Sequence, residues 1–593
     1  MKRMTKRLCL LLVALLLLPT LTACPGGQQL SPGKATSGQE GSGEVTSDVR
    51  EGGEIPAAEL SSYVIIYPAD AEQELVSAAA KLAKAIRETY GVVIYVTDDF
   101  VVDGIEETQP REREILIGAT NRQESVDFLA SLRANDHGWR LSGTKLVIAG
   151  RTGENSILAT DRFIYAVLAE KRDVFYSDGT EAFLFTDDYS VPRILIGETD
   201  VSEFSIVCPA GVRNAELAAA EVIRDAIADQ CGALIPIVRD SLAESQEYEI
   251  LIGNTNRHAP TAGEGRFSVG TVGGKPYCTG SEPLAVWYAA CELAAQIRSM
   301  TSERLTVRET TQTVPDEQIT LMSWNLCQQH AFTTARMNAF IAQIRAQAPA
   351  VVFLEEARLT EAERSTLLTG IGSNYANAIS PKQGDPKSYF NSLNKEMYYN
   401  TDLLTLVWSD YFWLSETPEE PSTFQYASDG YRDCVSACFE RKSDGKRFIV
   451  VTFHPEWTTT DEMREQGMTD RSMRAQQYAV ASAYIARYRA ENPGVPVFLG
   501  GDFNAQWTSS GETMFTAIRN EGYRNASEAA FVSVEGGTFP KTGLVIDFIF
   551  CDSKDVCFTY YEAVQLGIYV NDKTDPGTNP ADHNPVIAKF IFR

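Results

Sequence analysis

The sequence is poor in histidine and in positive charge, and each shortage narrows the functions that the chain can have. Only five histidines occur in 593 residues, and the formal net charge is −26. A chain this acidic has no general attraction for a polyanion, so long nucleic acids are disfavoured as substrates. A nucleic-acid substrate would require bound cations and a local basic patch to offset the negative charge.

Paired cysteine motifs are also absent. The chain has eleven cysteines but no pattern of paired CxxC motifs, which argues against a structural zinc site. Without Cys9 and Cys24, which lie in the N-terminal segment, the remaining count is odd, so a complete disulfide framework is not expected. Cys434 and Cys438 stand four residues apart in a strand-like segment, which is typical of small buried residues.

A long apolar run occurs only near the N-terminus, and its surroundings are those of an export signal. Basic residues within positions 2–7 precede the apolar run 8–18, which is too short to span a bilayer comfortably. The segment ends with Leu21-Thr22-Ala23-Cys24 and resembles the lipobox of bacterial lipoproteins. The resemblance implies cleavage after residue 23 and lipid on the Cys24 thiol, with an ordinary secretory signal as the alternative. We therefore expect a protein anchored to the cell membrane by lipid and facing the outside.

The rest of the chain divides into several domains, because 593 residues are too many for a single hydrophobic core. After the predicted signal peptide (residues 1–23), residues 24–58 are rich in Gly, Ser, Glu and Gln and are predicted to form a flexible tether. Two copies of an α/β repeat follow over residues 59–187 and 188–312, and residues 316–593 form the last domain.

The two copies share the same motifs in the same order. Each has a strand, a helix that ends at a glycine, a second strand (predicted at 92–96 and at 234–238) and a closing strand. The closing strand is followed by Thr120-Asn121-Arg122 or Thr255-Asn256-Arg257, which we interpret as a polar turn rather than a binding site. The copies resemble α/β modules that precede catalytic domains in some glycoside hydrolases and bacterial lipoproteins. This resemblance implies an accessory role, with a surface glycan as the candidate partner.

Polar residues stand at the ends of six strand-like segments in the last domain. They are Asn325, Glu356, His454, Asp502 with Asn504, Asp547, and Asp582 with His583. In an extended chain Asp502 and Asn504 share a face, and Gly500 and Gly501 would let a ligand approach the backbone. Such side chains suit a divalent cation, a phosphate or a positioned water. Each motif alone is equally explained by an Asp/Asn turn or a structural histidine.

The order of these motifs resembles that of the endonuclease/exonuclease/phosphatase superfamily, which is deoxyribonuclease I-like. The segment Phe412–Pro418 is similar to that of an exported bacterial branch. The resemblance implies an α/β fold in which a four-layer α/β/β/α sandwich follows the two small repeated modules. It also implies hydrolysis of a phosphate ester with Mg²⁺ as cofactor and Mn²⁺ or Ca²⁺ as alternatives.

The resemblance further implies a role for each matching residue. Asn325, Glu356 and Asp582 match metal ligands, His583 the catalytic histidine, Asp547 the acid that holds it, Asp502 and Asn504 the pair that orients the attacking water, and His454 a second active-site histidine. Arg432 and Arg474 are candidate phosphate-binding residues, with ordinary surface arginines as the alternative. Two departures from the family pattern are Glu355, where a glutamine is usual, and Pro455-Glu456-Trp457 directly after His454.

We therefore expect an extracytoplasmic, monomeric, metal-dependent enzyme that hydrolyses a phosphodiester or phosphomonoester. One alternative is a glycan-binding surface lipoprotein with a non-catalytic last domain, and the retention of every motif argues against it. The other alternative is a secreted-type nuclease that scavenges nucleotides, and the negative charge disfavours long DNA.

Overall fold

The computed structural model describes residues 53–101, 109–168, 171–177, 183–428, 430–567 and 580–593. The predicted signal peptide, Cys24 and most of the predicted tether lie outside these residues. Within the described ranges, no helix is both long and apolar enough to cross a membrane. The nine cysteines in these ranges are all free, and eight of them are buried.

The first module is built on a six-stranded sheet. Its elements are β1 (Glu54–Pro56), β2 (Val64–Tyr67), α1 (Gln73–Tyr90), β3 (Tyr95–Asp98), β4 (Glu114–Ile117), α2 (Gln123–Ala130), β5 (His137–Ser142), β6 (Lys145–Gly150), α3 (Gly153–Val167), β7 (Val174–Ser177) and β8 (Phe183–Phe185). The strand order is β3-β2-β4-β6-β5-β8. Strands β3, β2, β4 and β6 run parallel to one another, whereas β5 runs antiparallel to β6 and β8. Helix α1 ends at Gly91, whose φ of +74° suits a residue without a Cβ.

The second module repeats this topology. Its elements are β9 (Leu195–Ile196), β10 (Thr199–Asp200), β11 (Ser205–Cys208), α4 (Asn214–Cys231), β12 (Ile237–Arg239), β13 (Glu249–Ile252), β14 (Arg266–Val272), β15 (Lys275–Gly280), α5 (Pro283–Arg298), β16 (Arg304–Leu305) and β17 (Thr310–Thr313). The sheet order β12-β11-β13-β15-β14-β17 matches that of the first module strand for strand. The segment leading to the last domain contributes β17, which pairs with β14 and completes the sheet.

The second strand of each copy begins three residues later than its sequence pattern predicts. Pairing starts only at Tyr95, opposite Val64 of β2, and at Ile237, opposite Ile206 of β11. Of the apolar residues before these points, Ile94 and Ile235 are buried and pack in the core, whereas Val93 and Leu234 are exposed. An apolar pattern reports burial and not hydrogen bonding, so it placed both strand starts too early.

The Thr-Asn-Arg tripeptide closes an internal polar network in each module. The buried Arg122 guanidinium pairs with Glu114, with Nε 3.1 Å from Oε2, and the Asn121 backbone N–H donates to Asp99. The second copy repeats these contacts with Arg257, Glu249, Asn256 and Asp240. Because a buried ion pair must be fully partnered to be tolerated, these residues hold the turn after the closing strand rather than face a ligand.

The last domain is a four-layer α/β/β/α sandwich, as predicted. Its elements are β18 (Ile319–Asn325), α6 (Thr334–Gln347), β19 (Val351–Glu355), α7 (Glu361–Ile371), β20 (Tyr375–Asn377), α8 (Lys387–Asn391), β21 (Glu396–Asn400), β22 (Leu404–Trp413), β23 (Asp433–Arg441), β24 (Arg447–Thr452), α9 (Asp461–Glu465), α10 (Asp470–Glu491), β25 (Val497–Asp502), α11 (Thr513–Asn520), β26 (Arg524–Asn525), α12 (Ala526–Ala529), β27 (Val532–Val534), β28 (Asp547–Cys551), β29 (Val556–Ala563) and β30 (Val586–Phe592). One sheet has the order β20-β21-β19-β18-β30-β29-β27 and the other β22-β23-β24-β25-β28-β26.

The hydrophobic core of this domain lies between its two sheets. Phe353 from one sheet and Phe448 and Phe498 from the other are fully buried in it. Two further clusters pack α6 and α7 on the outer face of the first sheet, and α10 and α11 on the outer face of the second. The central strands of both sheets, such as β18, β19, β24 and β25, are therefore covered on both faces, which explains why they read as continuous apolar runs.

Candidate active site

The polar residues predicted at strand ends meet at one edge of the sandwich because of the strand directions. Strand β18 is parallel to β19 and antiparallel to β30, while β25 is parallel to β24 and antiparallel to β28. The C-terminal ends of β18, β19, β24 and β25 therefore lie beside the N-terminal ends of β28 and β30. Asn325, Glu356, His454, Asp502, Asp547 and His583 stand at or directly beyond these ends.

His583 and Asp547 form a buried hydrogen-bonded pair. The Nδ1 of His583 lies 2.8 Å from Oδ2 and 3.1 Å from Oδ1 of Asp547. Its Nε2 lies 3.6 Å from Oδ2 of Asp502. Burial by itself would lower the pKa of His583, but the negative charges of Asp547 and Asp502 raise that pKa well above its usual value. The imidazole is thus fixed in orientation and kept protonated, with Nε2–H directed toward Asp502.

Asp502 is the centre of the cluster. Its Oδ2 accepts a hydrogen bond from Nδ2 of Asn325 at 3.1 Å and lies 3.5 Å from Nε2 of His454. Its Oδ1 accepts from the backbone N–H of Asn504 at 2.8 Å. The carboxylate is only 2% exposed, so the Asn325 side chain and the Asn504 backbone N–H replace water as its hydrogen-bond partners.

The predicted extended arrangement of Asp502 and Asn504 is wrong. The chain turns at Asn504, which has a φ of +51°, so the two side chains are held by a tight turn rather than on one strand face. The role expected for the neighbouring glycines also changes. A Cβ on Gly500 would come within 2.7 Å of the Phe353 ring, and one on Gly501 would strike the Phe453 carbonyl. The protein's own atoms, and not a ligand, therefore require these glycines.

Glu356 lies beside Asn325 at the exposed side of the cluster. Nδ2 of Asn325 lies 3.4 Å from its Oε1, and the backbone N–H of Gln328 donates to its Oε2 at 3.1 Å. Burial and then the charges of Asp502 and Asp582 raise the pKa of Glu356. Oδ1 of Asp582 is buried, and no hydrogen-bond partner for it occurs among the described residues. Negative charge thus accumulates here, and the positive charge of Arg432 offsets only part of it.

Three residues in this region have left-handed backbone conformations that residues other than glycine seldom adopt. They are Cys327, Glu356 and Asn504, with φ values of +57°, +47° and +51°. Each such residue costs about 1–3 kcal/mol unless its surroundings hold it there, and such strain concentrates at functional sites. Three of the six positive-φ residues other than glycine in the described chain lie in this one cluster, which marks it as the functional centre.

His454 differs from His583 in protonation. Its Nε2 lies 2.9 Å from Nη1 of Arg432, and a guanidinium can only donate, so this Nε2 accepts and the proton resides on Nδ1. Burial and then the positive charge of Arg432 hold the pKa of His454 well below its usual value. His454 is therefore neutral, whereas His583 is a cation.

Residues 322–567 match the model of the Endonuclease/Exonuclease/phosphatase family. The C-terminal domain belongs to this family. Members are hydrolases that act on phosphate esters, and they generally use divalent metals.

Solved structures with similarity to this chain match the same part of it. A mannosyl-6-phosphatase of Bacteroides thetaiotaomicron is 19% identical, with a TM-score of 0.37, and the match covers 46% of this chain and 100% of that chain. An endonuclease/exonuclease/phosphatase family protein of the same organism is 19% identical, with a TM-score of 0.38 and coverage of 46% and 95%. The human Nocturnin catalytic domain with bound sulfate is 16% identical, with a TM-score of 0.34 and coverage of 46% and 95%. No curated protein sequence matches the chain significantly.

Of the two arginines predicted to bind phosphate in the endonuclease/exonuclease/phosphatase domain, the structure brings only Arg432 into the cluster. Arg474 is 3% exposed, and its guanidinium pairs with the buried Glu512, with Nη2 2.9 Å from Oε2. It also pairs with Asp470 and donates to the backbone carbonyl of Glu456. The prediction that Arg474 contacts phosphate is not supported by this placement, because its donors already serve internal acceptors.

Two charged residues of the domain near the site were not assigned a role from sequence. Glu355 is fully buried, and its Oε1 has no hydrogen-bond partner within the described chain. Burial raises the pKa of Glu355 well above its usual value, and the nearby positive charge of Lys395 opposes this. Lys395 is itself 3% exposed and precedes β21. Nothing in the sequence pattern around Lys395 distinguishes it from a surface lysine, so only the fold reveals its position.

Proposed function

We propose that the endonuclease/exonuclease/phosphatase domain hydrolyses a phosphodiester or phosphomonoester with Mg²⁺, or alternatively Mn²⁺ or Ca²⁺, as cofactor. The observation that carries this proposal is the link from His583 through Asp502 to Glu356. Nε2 of His583 lies 3.6 Å from Asp502, and Asn325 contacts both carboxylates. The protonated imidazole of His583, the buried carboxylate of Asp502 and the partly exposed carboxyl group of Glu356 thus lie next to one another along one edge of the sandwich.

The acidic side of the cluster fits a divalent cation. Asn325, Glu356 and Asp582 would hold it, since carboxylate and amide oxygens are the ligands that Mg²⁺ prefers. Burial, together with the charges of Asp502 and Asp582, raises the pKa of Glu356. The buried Oδ1 of Asp582 has no hydrogen-bond partner among the described residues. A bound cation would neutralise this charge and stabilise the charge that develops on the phosphate oxygens.

The chain's own residues would move the protons. Asp502 would accept a proton from the attacking water as the water oxygen bonds to phosphorus. The Asn504 side chain, whose Nδ2 donates to the Pro455 carbonyl, would orient that water through its Oδ1. As the bond from phosphorus to the leaving oxygen breaks, that oxygen takes a proton from Nε2 of His583. Asp547 keeps the imidazole in place through Nδ1 and stabilises its positive charge before the transfer.

Arg432 would bind a non-reacting phosphate oxygen. Its Nη1 contacts His454, and no other hydrogen bond or ion pair of this guanidinium occurs within the described ranges. It is half-buried at the edge of the cluster, where a guanidinium interacts with phosphate more strongly than it would in water. Neutral His454 fixes the orientation of the guanidinium.

A panel of small substrates tests this proposal. The exported chain, incubated with Mg²⁺, is expected to release phosphate from at least one phosphomonoester or to cleave a generic phosphodiester, and EDTA is expected to stop the reaction. Phosphate release and diester cleavage would be followed over hexose phosphates, nucleotides, glycerol phosphates, phospholipids and DNA. If no substrate shows metal-dependent turnover, the proposed activity is excluded for those classes.

We also place the protein on the outer side of the cell membrane, with Cys24 as the lipid attachment point and the two modules facing a surface glycan. The export signal and the Cys24 motif support this location. Cys24→Ser is expected to move the protein from the membrane fraction to the soluble fraction, because the acyl anchor is lost. Cys9→Ser, inside the apolar run, is the matched control and should stay with the membrane. Retention of Cys24→Ser in washed membranes would contradict the anchor.

A further inference from the structure

Two solvent-exposed aromatic residues lie close in sequence to residues of the catalytic cluster. Trp457 is 62% exposed and Tyr431 is 41% exposed. Trp457 follows His454 by three residues, so their Cα atoms are at most about 11 Å apart. Tyr431 directly precedes Arg432, which contacts His454. Among the described residues, no hydrogen bond or ring contact involves the Trp457 indole. An exposed tryptophan of this kind is unusual because the indole buries a large apolar surface when it finds a partner.

The loop that presents Trp457 is held rigidly by Glu456. This carboxylate is fully buried and accepts from the backbone N–H groups of Trp457 and Ser428 and from the Ser428 hydroxyl, at 2.9, 2.8 and 2.6 Å. The backbone N–H of Glu456 donates to the Gln477 side chain, and its carbonyl accepts from Arg474. Arg474 therefore positions this loop.

A separate contact holds the backbone at Tyr431. The Asn394 side chain donates to the carbonyl of Tyr431 at 3.0 Å. Both aromatic residues are thus attached to backbone that is fixed relative to the catalytic cluster.

We propose that Trp457 and Tyr431 form a ring-stacking subsite that binds the alcohol part of the substrate, so that the preferred substrate is a small phosphate ester carrying a sugar or base ring. This inference rests on the proposed hydrolysis of phosphate esters. A fixed aromatic face binds a ring at low entropic cost, because the loop is already ordered before the ligand arrives. The net charge of −26 excludes a general attraction for a polymer of phosphates, which favours a small ester.

The departure from the family pattern after His454 gains a physical explanation from this subsite. Glu456 supplies the buried acceptors that order the loop, and Trp457 is the residue that this order presents to solvent. A shorter or unanchored loop would leave the indole mobile, and immobilising it on binding would then lower the affinity.

Trp457→Ala tests the subsite on three phosphomonoesters: glucose 6-phosphate, adenosine 5′-monophosphate and ring-free glycerol 3-phosphate. We expect kcat/KM to fall about tenfold for the ring-bearing ester that the enzyme prefers, because stacking on an aromatic side chain is lost. The value for glycerol 3-phosphate should stay unchanged. Trp457→Phe should restore most of the loss, since it retains an aromatic face. A larger loss with one ring than with the other identifies which ring is bound.

The control is Tyr95→Ala, which removes a 79% exposed aromatic residue from the first module and should change none of the three values. An equal loss on all three esters, or no loss on any, would overturn the subsite. If the wild-type enzyme shows no metal-dependent turnover on any substrate of the wider panel, diesters included, the proposed function fails separately. Calorimetric titration of adenosine 5′-monophosphate and glucose 6-phosphate then decides the subsite: ring binding weakened by Trp457→Ala supports it, and binding that is absent or unaffected refutes it.

Discussion

His583→Asn is expected to lower the hydrolysis rate by about 10²–10⁴-fold, the range that a positioned acid or base contributes. Asparagine can still donate a hydrogen bond to Asp547 from the position of Nδ1, so the buried carboxylate keeps a partner. It has no group that could supply a proton from the position of Nε2, which faces Asp502. The measurement is kcat/KM on the best substrate of the panel, with circular dichroism to verify folding.

The matched control for this variant is His258→Asn. His258 is exposed, belongs to the second module and has a φ of +59°, a conformation that asparagine tolerates. Its activity should equal that of the wild type. If His583→Asn keeps more than about a tenth of the wild-type rate, proton transfer by His583 is refuted, because the lower limit of the expected effect is about 10²-fold.

Glu356→Gln is expected to raise the stability of the protein when Mg²⁺ is absent and to lower it, relative to the wild type, when Mg²⁺ is present. With EDTA the variant should be more stable than the wild type, because the substitution removes one charge from a cluster in which burial, Asp502 and Asp582 raise the pKa of Glu356. A raised carboxyl pKa means that the ionised form destabilises the fold, and this cost is present at neutral pH and lost as the pH falls. With Mg²⁺ the wild type should be the more stable protein, because the variant lacks the Glu356 carboxylate as a metal ligand.

The magnitude of the second effect follows from mass action. At a Mg²⁺ concentration of 100 times Kd, binding stabilises the wild-type domain by about 2.7 kcal/mol, which a thermal melt detects as a shift of several degrees. Glu356→Gln should lose most of this shift, and its metal-dependent activity should fall by at least about tenfold. Glu465→Gln, an exposed substitution at the end of α9, is the control. Equal Mg²⁺-induced shifts in the wild type and Glu356→Gln would exclude Glu356 as a ligand.

Much of the polar cluster was foreseeable because polar residues at the ends of apolar strands are visible in the sequence. Asn325, Glu356, Asp502, Asp547 and His583 all follow or precede such strands, and the strand directions bring them to one edge. The local geometry was not foreseeable. The turn at Asn504 and the left-handed backbone of Glu356 are imposed by contacts with other strands, and neither leaves a mark in the local pattern.

The two arginines illustrate a second limit. Arg432 and Arg474 are equivalent candidates when only residue type is considered, yet one contacts His454 and the other pairs internally with Glu512. Glu355 and Lys395 were likewise hidden, since their burial depends on how the two sheets pack. The placement of a long charged side chain is decided by neighbours distant in the chain, so sequence spacing carries little information about it.

The family of the last domain and the presence of two repeated modules were readable from the sequence, because both are encoded in local order: strand, polar end residue, and a motif that recurs. Which acids meet, which histidine is charged and which arginine joins the cluster depended on the packing of two sheets against each other. Charge and protonation respond to burial and to neighbours across the fold, and those quantities exist only once the chain has folded.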